Sequence, residues 1–126
     1  MTGERILVVE DNEKNMKLFR DVLSATGYRT LEATTGGEAL ELATEQAPDL
    51  VLMDIQMPGV DGVEALLRLR ADDRTAAIPV LAVTAQAMQG DRERFLAAGF
   101  DGYVSKPLHV GELIDTVREH CAGRAG

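Results

Sequence analysis

The chain has a single cysteine, four prolines, 4% aromatic residues and no apolar run approaching the length of a membrane span. With Cys121 alone, neither an intramolecular disulfide nor a thiolate metal cluster can form, and the residue reads as an ordinary thiol in the last helix. The amino terminus, Met1-Thr2-Gly3-Glu4-Arg5, precedes only a short apolar stretch. No signal peptide or membrane span is predicted, and a cytoplasmic location is the default expectation. Positive charge is also scarce: 13 Lys and Arg stand against 21 Asp and Glu, a formal net charge of -8. A sequence-independent grip on nucleic acid needs cations to neutralise phosphates, so direct nucleic-acid binding is not expected. The balance suits the binding of cations or of basic partner surfaces. Low-complexity segments, long linkers and internal repeats are missing, and no G-x-G-x-x-G fingerprint follows a strand.

What is present is 126 residues, 45% of them hydrophobic, enough for one globular domain over residues 1–126 and too few for a second. The chain is organised around Leu50-Val51-Leu52-Met53-Asp54, which runs into the turn-forming Met57-Pro58-Gly59. An unbroken apolar run bounded by turn signals reads as a strand buried on both faces, with Asp54 at its carboxyl end. Ile6-Leu7-Val8-Val9 is a second such run, followed at once by Glu10-Asp11-Asn12. Asn12 is a good N-cap for a helix carrying Met16, Phe19 and Leu23 and stopping at Gly27. Tyr28 to Ala33 alternates and predicts a less buried strand. Thr35 and Glu38 have capping-box spacing for a helix with Ala39, Leu40 and Ala43, closed by Pro48.

Asp61 can cap a third helix, whose buried side is predicted as Leu66, Leu67 and Leu69. Ala71 to Ala77 reads as a polar, exposed connection, and Ile78 to Thr84 as the fourth strand. Met88, Phe95 and Ala98 mark a fourth helix ending at Gly99; Asp101 to Ser105 is a short fifth strand. Val110, Leu113, Ile114 and Val117 make the apolar stripe of the last helix. Strand and helix thus alternate five times, which predicts a three-layer α/β domain with a parallel sheet.

In a parallel sheet the carboxyl ends of the strands share one edge, and ligands bind there. That edge collects Glu10 and Asp11, Asp54, Thr84, and Lys106 with Pro107. If the strand order is 2-1-3-4-5, the carboxylates meet at the switch point between the first and third strands. Three clustered carboxylates repel and raise one another's pKa unless neutralised. Lys106 supplies one positive charge, and the all-oxygen donor set selects a hard ion such as Mg²⁺. Such a site suits a phosphoryl group arriving at Asp54, because an aspartate can form an acyl phosphate. Taken singly, each residue has a plainer role: a turn aspartate, helix-opening acids, a strand threonine, a surface lysine. Tyr103 fits half-buried packing as well as a reporter of the site, and His109 and His120 read as surface or helix-end residues. The joint placement at strand ends outweighs these readings.

Val9-Glu10-Asp11-Asn12, Leu52 to Gly62, Val83-Thr84-Ala85 and Ser105-Lys106-Pro107 together resemble the response-regulator receiver domains of two-component signalling, from about Arg5 to about Cys121. Asn12, Asn15 to Phe19, Ala87-Met88 and Gly90-Asp91 look like the DivK type of single-domain regulator; receivers within hybrid histidine kinases look similar. The resemblance implies a flavodoxin-like, doubly wound five-stranded sheet in the order 2-1-3-4-5. It implies that Asp54 accepts phosphate from a histidine kinase or histidine phosphotransfer protein. Glu10, Asp11, Asp54 and the Gln56 carbonyl would hold Mg²⁺, Asp11 directly and Glu10 through water; Lys106 would pair with the phosphoryl group, and Thr84 would hydrogen-bond it. Ala85 gives access, Tyr103 turns inward as Thr84 moves, and a cis bond is expected before Pro107. Gln56 and Gln86 occupy positions that influence hydrolysis, and two long amides there suggest a slowly decaying phosphoprotein. Output is expected through a downstream protein partner rather than through a fused domain or catalysis of its own. Rival readings are a module of the same fold that is never phosphorylated, a phosphatase with an aspartyl nucleophile, and a flavin carrier. The first would show loss of the acidic pair, the aspartate or the lysine, and none is lost here; the second meets Gln56 where its second aspartate belongs, and the third meets Glu10 and Asp11 where a phosphate-cradling loop belongs.

Overall fold

In the computed structural model of the chain, residues 4–55, 62–85, 91–106 and 108–125 are described. Five strands and five helices alternate: β1 (Arg5–Val9), α1 (Glu13–Ala25), β2 (Arg29–Ala33), α2 (Gly36–Gln46), β3 (Leu50–Asp54), α3 (Gly62–Ala71), β4 (Val80–Thr84), α4 (Asp91–Ala98), β5 (Gly102–Ser105) and α5 (Val110–Ala125). The sheet order is β2-β1-β3-β4-β5, with every neighbouring pair parallel.

The apolar runs are explained by the pleat, which sends successive side chains to opposite faces. Ile6, Val8, Leu50, Leu52, Leu81, Val83 and Val104 pack with Met16, Phe19 and Leu23 of α1 and Leu113, Val117 and Cys121 of α5. Leu7, Val9, Val51, Met53, Val80 and Ala82 pack on the other side with Ala39 and Ala43 of α2, Ala65, Leu66 and Leu69 of α3, and Phe95 of α4. Both faces of the central strands are therefore covered, and β3 and β4 are buried along their whole length. β2, at the edge, is the less buried strand that its alternation predicts.

The helix starts follow side-chain chemistry. Asn12 Oδ1 accepts from the backbone N–H of Lys14 (3.0 Å) and Asn15 (3.1 Å), capping α1. Thr35 Oγ1 accepts from Glu38 N at 3.1 Å; Glu38 Oε1 returns the bond to Thr34 N, one residue before the cap. Gly27 and Gly99 take positive φ, 93° and 114°, where α1 and α4 end.

Some expectations need correction. Leu67 is 57% exposed; Ala65, Leu66 and Leu69 form the buried side of α3. At about 100° per residue, position 67 turns away from the stripe shared by 62, 65, 66 and 69. Val110, expected in the buried stripe of α5, is likewise exposed; Leu113, Val117 and Cys121 carry that stripe. Thr75, in the connection predicted to be exposed, is buried, and its hydroxyl donates to Leu69 O at 2.6 Å. β2 and β4 begin one and two residues later than the apolar pattern suggests. The expected cap Asp61 and the α4 marker Met88 lie outside the described residues.

Candidate functional site

Four of the five strands, β1, β3, β4 and β5, each deliver one part of the site. Glu10 follows β1, and its backbone N–H continues the ladder to Ala33 O at 2.9 Å. It shares the pleat phase of Ile6 and Val8, so its side chain turns towards the α1 and α5 layer and is 1% exposed. Asp54 ends β3 in the phase of Leu50 and Leu52, and is 3% exposed. Lys106 follows β5 in the phase of Val104, anchored by its own N–H to Thr84 O at 2.8 Å. Three residues remote in sequence thus point to one side of one sheet edge.

There Lys106 Nζ lies 3.2 Å from Asp54 Oδ2, a hydrogen-bonded ion pair, and 3.1 Å from Glu10 Oε1. The approach to Glu10 is an ion pair by distance, and Oε1, fully enclosed, has no directed hydrogen bond among the described residues. Glu10 Oε2 accepts from Asn12 N at 3.2 Å. Burial pushes the Glu10 carboxyl above its ordinary pKa, and the neighbouring Asp54 charge adds to this against the pull of Lys106. Burial alone would lower the Lys106 ammonium, but Glu10 and the charge of Asp54 outweigh it and the pKa is raised. The ammonium is therefore held charged between two acids.

Asp11 is exposed at the start of the loop into α1. One carboxylate oxygen from each of Glu10, Asp11 and Asp54 lies within 4.8 Å of the others. Oxygens this close together can share one small cation such as Mg²⁺, whose bonds to oxygen are about 2.1 Å long. The hard, all-oxygen donors and the enclosed Oε1 of Glu10 fit a magnesium ion. One lysine against three carboxylates leaves negative charge for it to neutralise.

Thr84 is buried at the end of β4, in the phase of Val80 and Ala82, towards the α2, α3 and α4 layer. Tyr103 on β5 is half-buried and packs against that same layer. The structure thus brings together Glu10, Asp11, Asp54 and Lys106 on one side, while Thr84 and Tyr103 share the other pleat face. Ala85 is exposed, next after Thr84. Gln56, Gln86 and Pro107 lie outside the described residues. His120, read as a plain helix-end residue, sits with Nδ1 2.8 Å from Thr116 O and Nε2 3.2 Å from Asp101 O. Sequence reasoning also missed Arg70, which donates to Ile78 O (2.6 Å), Ala76 O (3.1 Å) and Asp101 Oδ2 (2.8 Å), fastening α3 to the start of β5.

The comparisons with known proteins agree with this geometry. The model of the response regulator receiver domain matches residues 6–118. The chain is 51% identical to the polar-differentiation response regulator DivK of Brucella anthropi over 115 residues, covering 91% of this chain and 94% of that protein. Identity to DivK of Brucella ovis is 50% over the same span. The receiver domain of sensor histidine kinase PA1611 from Pseudomonas aeruginosa PAO1 superposes with a TM-score of 0.88 at 36% identity, covering 96% of this chain and 99% of that one. That crystal structure has a magnesium ion coordinated in its active-site cleft. The Francisella response regulator 1452 receiver domain gives 0.89 at 28% identity, over 97% and 99% of the two chains. Among the described residues, no helix is long and apolar enough to cross a membrane. With its parallel 2-1-3-4-5 sheet, its acid-and-lysine edge and these relatives, the chain belongs to the response-regulator receiver domains of two-component signalling, and within them it is similar to DivK.

Proposed function

We propose that the chain is a cytoplasmic phosphoacceptor switch that cycles on Asp54. A histidine kinase, or a histidine phosphotransfer protein, presents a phosphohistidine to the sheet edge. A carboxylate oxygen of Asp54 attacks phosphorus; the P–O bond forms as the P–N bond to the imidazole breaks, leaving an acyl phosphate. The observation that carries this reading is the pairing of buried Asp54 with Lys106 Nζ at 3.2 Å beside two further acids. Glu10, Asp11, Asp54 and the Gln56 carbonyl are the residues to hold Mg²⁺, which supplies charge neutralisation for the phosphoryl oxygens when bound. Lys106 then turns its ammonium to the incoming group, and the Thr84 hydroxyl donates to one of its oxygens. Small Ala85 leaves the approach open.

The phosphoryl group adds about -1.5 to -2 charge and three acceptor oxygens. Drawing Thr84 towards it frees space on the pleat face that Tyr103 shares, and Tyr103 turns in. The α4, β5 and α5 face, with its cleft between Tyr103, Ser105, Glu112 and Asp115, changes shape and so its affinity for a downstream protein. A gap of a few kcal/mol between the two states is enough for phosphorylation to shift the population. Gln56 and Gln86 shield the acyl phosphate, giving it a lifetime longer than seconds. The 51% identity to DivK favours a single-domain regulator over a receiver set within a hybrid kinase.

The test is transfer from a phosphorylated histidine phosphotransfer protein in the presence of magnesium. Label moves to the parent chain and not to Asp54→Asn. Equal labelling of Asp54→Asn would sink the assignment.

A further inference from the structure

We infer that Gly62 is a positioning residue for Asp54, a role that rests on the phosphoacceptor reading above. Gly62 opens α3, directly behind the end of β3, and its N–H bonds to Ile55 O at 3.3 Å. A Cβ added there would lie 2.8 Å from Ile55 Cα and 2.9 Å from the Asp54 carbonyl oxygen, with Met53 Cγ at 3.3 Å. The two nearest atoms are backbone, and they fall short of ordinary contact by about half an ångström. The missing side chain is therefore a matter of space at the peptide that carries the phosphoacceptor.

Neither wall can retreat freely. β3 is held between β1 and β4, with Ile55 N bonded to Val83 O at 3.1 Å. α3 is held by Ala65, Leu66 and Leu69, all buried in the core. A side chain at position 62 thus displaces the Asp54–Ile55 peptide, and Asp54 loses its register with Lys106 and the other acids. In the same molecule Gly102 makes the matched contrast. Its added Cβ meets Leu81 Cδ2 at 3.1 Å and the His120 ring at 3.2 Å, side-chain atoms rather than backbone, away from the acidic edge.

The experiment compares the parent, Gly62→Ala and Gly102→Ala. Three readouts are taken: labelling rate with acetyl phosphate and magnesium, urea midpoint, and backbone amide shifts of Ile55 and Lys106 in magnesium-free protein. Gly62→Ala is expected to fold, to show displaced Ile55 and Lys106 amides, and to label ten- to a hundredfold more slowly, since misplacement by a fraction of an ångström to one ångström is worth that much. Gly102→Ala is expected to label at the parent rate whatever its urea midpoint. Labelling of Gly62→Ala within twofold of the parent overturns the inference, as does a Gly62→Ala chain that does not fold, which would make the role purely structural. A parent that takes no label sinks the phosphoacceptor reading instead. The amide shifts then decide positioning alone: displaced amides in Gly62→Ala uphold it, and unmoved ones overturn it.

Discussion

Thr84 and Tyr103 face the same side of the sheet from adjoining strands, one pleat apart: Tyr103 pairs in register with Ala82, and Thr84 with Ser105. Glu10, Asp54 and Lys106 have the opposite phase, towards α1 and α5. The acids and the lysine thus lie in one pleat phase and the residues that would report in the other, and Thr84, one residue past the register partner of Asp54, stands at the border.

The first prediction follows from that border. Thr84→Ala is expected to take up phosphate while failing to turn Tyr103. The chain has two tyrosines, so the ring resonances of Tyr103 and Tyr28 can be followed separately. In the parent, phosphorylation moves Tyr103 and leaves Tyr28, which packs on the α1 and α5 side. Movement of Tyr103 in phosphorylated Thr84→Ala would refute the coupling.

Lys106→Ala leaves Glu10 and Asp54 facing each other without a cation. Breaking a buried pair costs about 3–5 kcal/mol; with a fifth of the Lys106 side chain exposed, about 2 kcal/mol is expected here, read as a lower urea midpoint. Phosphate is still accepted, slowly, but the modified chain binds its downstream partner poorly. Unchanged partner binding by phosphorylated Lys106→Ala counts against its role.

Magnesium should stabilise the fold, because a ligand bound only by the folded state shifts unfolding. At a hundred times its dissociation constant the gain is about 2.7 kcal/mol, or about 10 °C for a domain of this size. Asp11→Asn removes one of the repelling charges, so without metal it is no less stable than the parent, and its magnesium-induced shift falls below half. An equal shift in thermal melts of the two proteins contradicts the assigned donor set.

The pH dependence has a separate, exposed component. The Arg74 guanidinium, helped by the Arg74 backbone N–H, holds the Asp72 carboxyl at about 2, below its ordinary 3.8. A depressed carboxyl stabilises the fold above its unfolded pKa, and that contribution fades as pH falls from 3.8 towards about 2. Asp72→Asn is therefore slightly less stable than the parent above pH 4, the gap closing on acidification. Both side chains are at the surface, so the gap is small. Urea titrations from pH 5 downwards check the sign: a gap that widens towards acid contradicts it.

The fold was legible where burial on two faces leaves a run of Val, Leu and Ile, as in Leu50 to Met53, because no other short element reads that way. The strand ends were legible for the same reason, and with them Glu10, Asp54 and Lys106. What one-dimensional pattern could not resolve was rotation and reach. Three leucines crowd one turn of α3, and only the helix's contact with the sheet decides that Leu67 is the one left outside. The depth of Glu10 against exposed Asp11 had a signal, the pleat phase of Ile6 and Val8 carried one step past the strand. The reach of Arg70 across to Asp101 had none, since it depends on where the end of α3 meets the start of β5. Gly62 was visible only as the last residue of a motif, and its nearness to the Asp54 carbonyl belongs to the packed chain.

The central claim is that residue 54 carries the phosphate, and borohydride trapping tests it most directly. The chain is phosphorylated with acetyl phosphate and magnesium, reduced with borohydride, and sequenced by mass spectrometry. The account predicts homoserine at position 54, with none when magnesium is withheld. Reduction products at Asp11, at Glu10 or nowhere in the chain would contradict it.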